Sequence, residues 1–158
     1  MHISALEEYG LRCALQLARA ASSQAPLSAS EVADKERISV EYVSKFMHLF
    51  KKAGLVKAVR GVRGGFLLQQ APETVTLKDV FDALKPRRET IDTSGGFCDQ
   101  FSGKADQCVH LEQCSVRPFW EMLSGYFEEV IQGVTLADLL RKEADARAHV
   151  LRKVYDVV

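Results

Sequence analysis

The stretch Ser39-Val40-Glu41-Tyr42-Val43-Ser44-Lys45-Phe46-Met47-His48-Leu49-Phe50-Lys51-Lys52-Ala53-Gly54-Leu55-Val56-Lys57-Ala58-Val59-Arg60-Gly61-Val62-Arg63-Gly64-Gly65-Phe66-Leu67-Leu68 decides the fold. Ser39 can cap a helix, and Val43, Phe46, Met47 and Phe50 recur at helical spacing, so a helix with one buried face is expected over residues 40–53. Gly54 supplies the left-handed stop. Two apolar, partly alternating runs then flank Gly61-Val62-Arg63-Gly64-Gly65, which reads as a β-hairpin with a glycine-rich tip. Upstream, Ser28 is followed three residues on by Glu31, a capping-box pattern that predicts a short helix over residues 29–35. Leu6, Leu11, Ala14, Leu15 and Ala18 predict an earlier helix over residues 3–21, ended by Gln24-Ala25-Pro26. Helix, turn, helix, hairpin is the order of a winged helix-turn-helix.

Downstream, residues 76–84 predict one more short helix, stopped before Pro86. Residues 85–113 are polar and irregular. A long helix is expected over residues 115–131, where Phe119, Met122, Leu123, Tyr126, Phe127 and Val130 follow helical spacing. Thr135 then caps a final helical segment running through Leu139, Leu140, Ala144 and Val150. The fold class is mainly α with a small β-hairpin wing, followed by a long C-terminal helix. Three parts are expected: a winged helix-turn-helix over residues 1–84, a cysteine-bearing loop over 85–114, and a dimerisation helix with a helical tail over 115–158. The apolar stripe of the long helix has little chain left to cover it, which favours pairing of two protomers; a two-fold dimer also matches a palindromic site.

The 158 residues carry 21 basic and 21 acidic side chains, yet residues 42–72 hold Lys45, Lys51, Lys52, Lys57, Arg60 and Arg63 and no acid. That uncompensated basic stripe points to nucleic acid, because a solvated face ordinarily mixes both signs. In a winged helix the second helix of the pair enters the major groove and the hairpin tip reaches the neighbouring groove. Ser39, Tyr42, Ser44, Lys45 and His48 are therefore the candidate DNA-facing residues on the helix, with Arg60, Arg63 and Gly64 on the wing. No run approaches the roughly 20 apolar residues that cross a bilayer, and the amphipathic, acidic amino terminus is not a secretory signal; a cytoplasmic protein without a membrane partner is expected. Walker, dinucleotide and HExxH signatures are missing, and Cys13, on an apolar helix, reads as a small hydrophobe rather than a nucleophile. An enzyme is not expected.

Cys98, Cys108 and Cys114 sit among Asp99, Gln100, Ser102, Lys104, Asp106, Gln107, Glu112 and Gln113, surroundings unlike a protein core. In a reducing compartment clustered thiols bind metal or do redox chemistry more often than they form disulfides. Thiolates are soft ligands that select iron–sulfur clusters, zinc or copper(I). Intervals of nine and five residues between them are loose for a zinc knuckle, but His110 could complete a three-cysteine, one-histidine zinc set. Spacing alone leaves zinc and a cluster both open.

The chain resembles the winged-helix iron–sulfur transcription regulators typified by IscR and NsrR over about residues 1 to 140. Glu8-Tyr9-Gly10-Leu11-Arg12 is similar to that family's opening helix, Ile38-Ser39-Val40-Glu41-Tyr42-Val43 to the start of its reading helix, and the run from Gly54 through Leu68 to its wing; Val134-Thr135-Leu136-Ala137-Asp138-Leu139 is similar to the segment closing its dimerisation helix. The resemblance implies a homodimer on double-stranded DNA with a palindromic operator, and a 2Fe-2S or 4Fe-4S cluster held by Cys98, Cys108 and Cys114. The first interval is longer than the family's usual five, and Arg117 stands where IscR-like members place a histidine. NsrR-like members instead take an acidic ligand near the start of the first helix from the partner subunit, a position that Glu8 matches; Glu7 and His110 are weaker candidates. The resemblance thus implies a promoter-binding regulator that senses redox state, nitric oxide or iron. The alternative from the residues is a winged-helix protein with a structural zinc or redox-active thiol site.

Overall fold

The computed structural model describes residues 3–61, 64–84, 110 and 113–155. Helix α1 spans Ala5–Ala20 and begins at a reciprocal cap that the sequence reading passed over: the Glu7 N–H donates to Ser4 Oγ (3.3 Å) while the Ser4 N–H donates to the Glu7 carboxylate (2.8 Å). A single 3₁₀ turn, Ala21–Ser23, carries the chain off its end. Helix α2 is Ala29–Glu36, opened by the expected Ser28–Glu31 box. Ser28 donors, the backbone N–H first, hold the Glu31 carboxyl below its usual range. Arg37 takes the left-handed conformation (φ 57°) that turns the chain into α3, Val40–Lys52. The Ser39 hydroxyl accepts from the Tyr42 N–H at 3.2 Å, and Gly54 at φ 78° ends the unit as expected.

Strands β1 (Val56–Val59) and β2 (Gly65–Leu68) pair antiparallel in a register running from Val56 opposite Leu68 to Val59 opposite Gly65. The hairpin has an additional tie. Leu27 bridges Phe66 through two backbone hydrogen bonds of 3.1 and 2.8 Å, so the segment entering α2 extends the sheet by one residue. A β-carbon at position 65 would lie 2.5 Å from the Leu27 carbonyl, and that approach is open only to glycine. Helix α4, Leu77–Leu84, is capped by Thr76 and Asp79 in the same reciprocal way as α1 and α2.

Cys13, Leu17, Val32, Val43, Phe46, Met47, Phe50, Val80 and Leu84 close the core between α1, α2, α3 and α4. Each large aliphatic or aromatic side chain removed from water there stabilises the fold by about 1.5–3 kcal/mol. Gly10 lets α4 approach α1, since a β-carbon there would meet Leu84.

Helix α5 spans Arg117–Gly133, beginning two residues later than the periodicity predicts. The single final segment expected from sequence is two helices, α6 (Leu136–Leu139) and α7 (Glu143–Tyr155). The break at residues 140–142 follows from what α6 is attached to. Thr135 bridges Thr76, the Leu136 N–H donates to Val75 O and the Leu77 N–H to Val134 O (both 2.9 Å), and Leu136 is fully buried in the core. Asp138, the third residue of α6, gathers the next helix: its carboxylate lies 2.6 Å from Lys153 Nζ and 2.8 Å from His149 Nε2, both on α7.

The chain divides into two compact units, Met1–Leu84 with Val130–Val158, and Lys85–Glu129. Of the second unit the structure describes His110 and residues 113–129. Among the described residues no helix is long and apolar enough to cross a membrane.

Candidate nucleic-acid interface and metal-ligand residues

Helix α3 divides cleanly into an inward and an outward side. Val43, Phe46, Met47 and Phe50 are buried, and Ser44, Lys45, His48, Lys51 and Lys52 are exposed. An outward, predominantly basic helix face that also carries the Ser44 hydroxyl and the His48 imidazole is suited to phosphates and to base edges.

Two of the sequence-predicted residues have local partners. Ser39 spends its acceptor on the cap. Tyr42 is half-buried, its ring edge-on to Tyr9 (5.9 Å) and tilted on Phe46 (4.5 Å). Arg60 is exposed directly after β1. Gly64 sits where a β-carbon would lie 2.6 Å from Val59 O and 2.8 Å from Gly61 O, and Gly61 has φ 120°, so the tip folds on itself in a way that side chains at these glycines would prevent. Arg63 lies outside the described residues.

The end of α2, which leads into α3, is tied to α1 by a polar cluster that no sequence pattern signalled. Glu36, at the last residue of α2, is 8% exposed. A carboxylate at a helix C-terminus opposes the helix dipole and needs compensation. Arg12 Nε donates to it at 2.7 Å, its Nη2 reaches the Glu36 carbonyl at 3.4 Å, and the Gln16 amide hydrogen-bonds the other oxygen. The Arg12 guanidinium also lies 5.4 Å above the Tyr9 ring, so α1, the α2–α3 turn and the first turn of α3 share one network. The Glu36 hydrogen bond is the largest influence raising the Arg12 pKa. The one available sequence signal is an acid where a cation is preferred, and that signal names no partner.

Of the proposed metal ligands, Glu8 is exposed in the first turn of α1, and Glu7 is occupied by the Ser4 cap. Cys114 is half-buried just ahead of α5, its sulfur accepting the Arg117 N–H at 3.3 Å. Cys98 and Cys108 lie outside the described residues. Among the described residues, which include one cysteine of the triplet, no group of three or more His, Cys, Asp or Glu side chains could hold a metal. Cys13 is fully buried, and burial foremost pushes its thiol up to about 12, away from thiolate chemistry.

Helix α5 presents Phe119, Trp120, Met122, Leu123 and Tyr126 to solvent within one chain, with Phe119 53% and Met122 65% exposed. Phe119 and Trp120 meet edge-on at 5.1 Å.

The sequence model of the Rrf2 family, described as iron-dependent transcriptional regulator, matches residues 3–142. The chain belongs to the Rrf2 family. Its Rrf2 relatives include the HTH-type transcriptional regulator NsrR of Shouchella clausii, 28% identical over 149 residues and covering 94% of both chains. The structure is similar to IscR of T. potens (25% identity, 89% of this chain and 86% of that one, TM-score 0.68). It is also similar to CymR, the global cysteine regulator of B. subtilis (26% identity, 88% and 95%, TM-score 0.67). These are winged-helix transcription regulators, and the Rrf2 chain described here is accordingly a DNA-binding regulator, of a family that is not enzymatic.

Proposed function

We propose that this protein is a homodimeric promoter-binding regulator whose affinity for a palindromic operator is set by an iron–sulfur cluster. Cys98, Cys108 and Cys114 are the thiolate ligands, and Glu8, contributed across the dimer, is the fourth. The observation that carries this reading is the presence, in one Rrf2 chain, of a complete winged helix-turn-helix and a cysteine triplet in a polar segment. The donor chemistry fits such a group. The Cys114 sulfur accepts a backbone N–H just ahead of α5, and the Glu8 carboxylate stands in an exposed first turn, one turn from Arg12, with which it interacts electrostatically. A carboxylate is a harder, more exchangeable ligand than thiolate. When bound, the cluster supplies a redox-active iron centre whose potential follows its ligands and exposure.

On this reading residues 85–114 carry the ligands and residues 115–158 the dimer contact, where the exposed aromatic face of α5 is the surface to be covered. Ser44, Lys45 and His48 face the major groove, and Arg60 and Arg63 the wing's phosphates or narrow minor groove. The Arg12–Glu36 network links the helix that bears Glu8 to the turn before α3, so ligation at Glu8 can bias the position of the reading helix. A second reading, a zinc or redox-thiol site, draws on the likeness to CymR and on His110. Anaerobic purification with iron, sulfide and zinc quantified per protomer separates the two. Cluster control predicts iron with sulfide, visible absorption and a change in affinity for one palindromic duplex on exposure to air. A colourless anaerobic protein with stoichiometric zinc would overturn it.

A further inference from the structure

Glu41 is the sole acidic residue of α3, and it occupies that helix's outward side. Glu41, Lys45, His48 and Lys52 are spaced i, i+4, i+7 and i+11, which aligns them in one stripe. All four are exposed, and the buried Val43, Phe46, Met47 and Phe50 lie on the other side of the helix. Glu41 heads the stripe, in the first turn, and it is immediately followed by the thirty-one residues, 42–72, that contain no acid. Among the described residues no cation stands within ion-pair distance of its carboxylate, although Lys45 is one turn away.

An unpaired carboxylate on a surface that meets DNA is repelled by every phosphate. It is accommodated best opposite a hydrogen-bond donor. In the major groove the bases offer two such donors, the N4 amine of cytosine and the N6 amine of adenine, and adenine places the acceptor N7 beside its amine. Guanine and thymine present acceptors. The start of a reading helix is the part that reaches base edges. We propose that Glu41 accepts a hydrogen bond from cytosine N4 and thereby fixes one cytosine in each half-site of the operator. Neither the identity of the metal site nor its occupancy enters this inference; it rests on the proposed binding of a homodimer to a palindromic operator.

The ordinary alternative is that Glu41 serves only to complement the positive end of α3. Selection from a randomised duplex library by the full-length protein, with and without its metal, distinguishes the two, because no operator need be known beforehand. Wild type should require cytosine at one position per half-site, and any other base there should weaken binding about tenfold or more. E41Q, which has an amide suited to adenine N6 and N7, should select adenine at that position. E41A should lose preference there while selecting the same bases elsewhere. Identical selection by all three proteins, at every position, would overturn the proposal. So would altered preference in the variants spread evenly across the site. Because Glu41 is exposed, thermal unfolding of E41Q should coincide with wild type, which confirms that any change in selection arises at the interface.

Discussion

Replacing Gly10 by alanine sets two effects against each other, and the structure decides the sign. Gly10 lies inside α1, where alanine is favoured over glycine by about 1 kcal/mol. Its new β-carbon would stand 2.5 and 2.7 Å from the two methyl groups of Leu84 and 3.2 Å from its Cγ. Ordinary carbon contacts are about 3.5–4.0 Å, so both methyls must retreat by about 1 Å. A change in χ1 or χ2 moves both methyls together, and both then need room elsewhere in the core. Leu84 is 1% exposed and has no solvent side to retreat into, so α1 and α4 must separate. Overpacking of this kind costs about 1–3 kcal/mol, which exceeds the propensity gain and predicts a net loss of about 1 kcal/mol. Leu84→Ala alone should cost about 2–5 kcal/mol through lost burial and the cavity left behind. In that background the alanine introduced by Gly10→Ala fits and its propensity gain survives, so the double variant should be more stable than Leu84→Ala by about 1 kcal/mol. Urea denaturation of the four proteins at one concentration, with m-values compared, reads the cycle. Stabilisation of wild type by Gly10→Ala, or the same effect in both backgrounds, would refute the reasoning.

Arg12→Met leaves the Glu36 carboxylate, 7% exposed, without its guanidinium; because Arg12 is itself 42% exposed, the loss should be about 1.5–3 kcal/mol rather than the larger figure for a fully buried pair. Urea midpoints should show that adding Glu36→Gln recovers part of it. Asp138 gives a pH signature: burial raises its carboxyl, but the Lys153 ammonium, the Thr135 donors and His149 outweigh burial and hold it well below the usual carboxylate range. A depressed folded value stabilises above the unfolded pKa of about 4 and is lost as pH falls below it, so wild type should lose stability below about pH 4 and Asp138→Asn should lose less over that window, as read from urea midpoints at successive pH values. Arg60→Ala should weaken binding uniformly across DNA sequences and make the slope of log affinity against log salt shallower by about 1, measured by fluorescence titration.

The starts of α2, α3 and α6 were legible because their signals are local, although the equally local Ser4–Glu7 box of α1 was missed. Ser28 with Glu31 and Ser39 with the Tyr42 N–H are three-residue relations, written side by side in the chain. The inward side of α3 was legible for the same reason, since four apolar residues at helical spacing need no partner to be recognised. The ties between distant segments were not. Leu27 pairs with Phe66, and Thr76 with Thr135, across separations that leave no periodic trace. For the site, the basic stripe announced a nucleic-acid surface, but the packing of Tyr42 against Tyr9 and Phe46 is a tertiary fact.

The sequence by itself determined the order of helices and hairpin, the outward basic face and the thiol triplet, because caps, periodicity and charge act within a few residues. Tertiary structure alone decided where α6 and α7 go and why Glu36 can be buried. Both depend on meeting a partner far away in sequence, Val75 and Thr76 in one case and Arg12 in the other. A buried carboxylate or an extra bridge is stable only once those partners arrive, and no local pattern encodes their arrival.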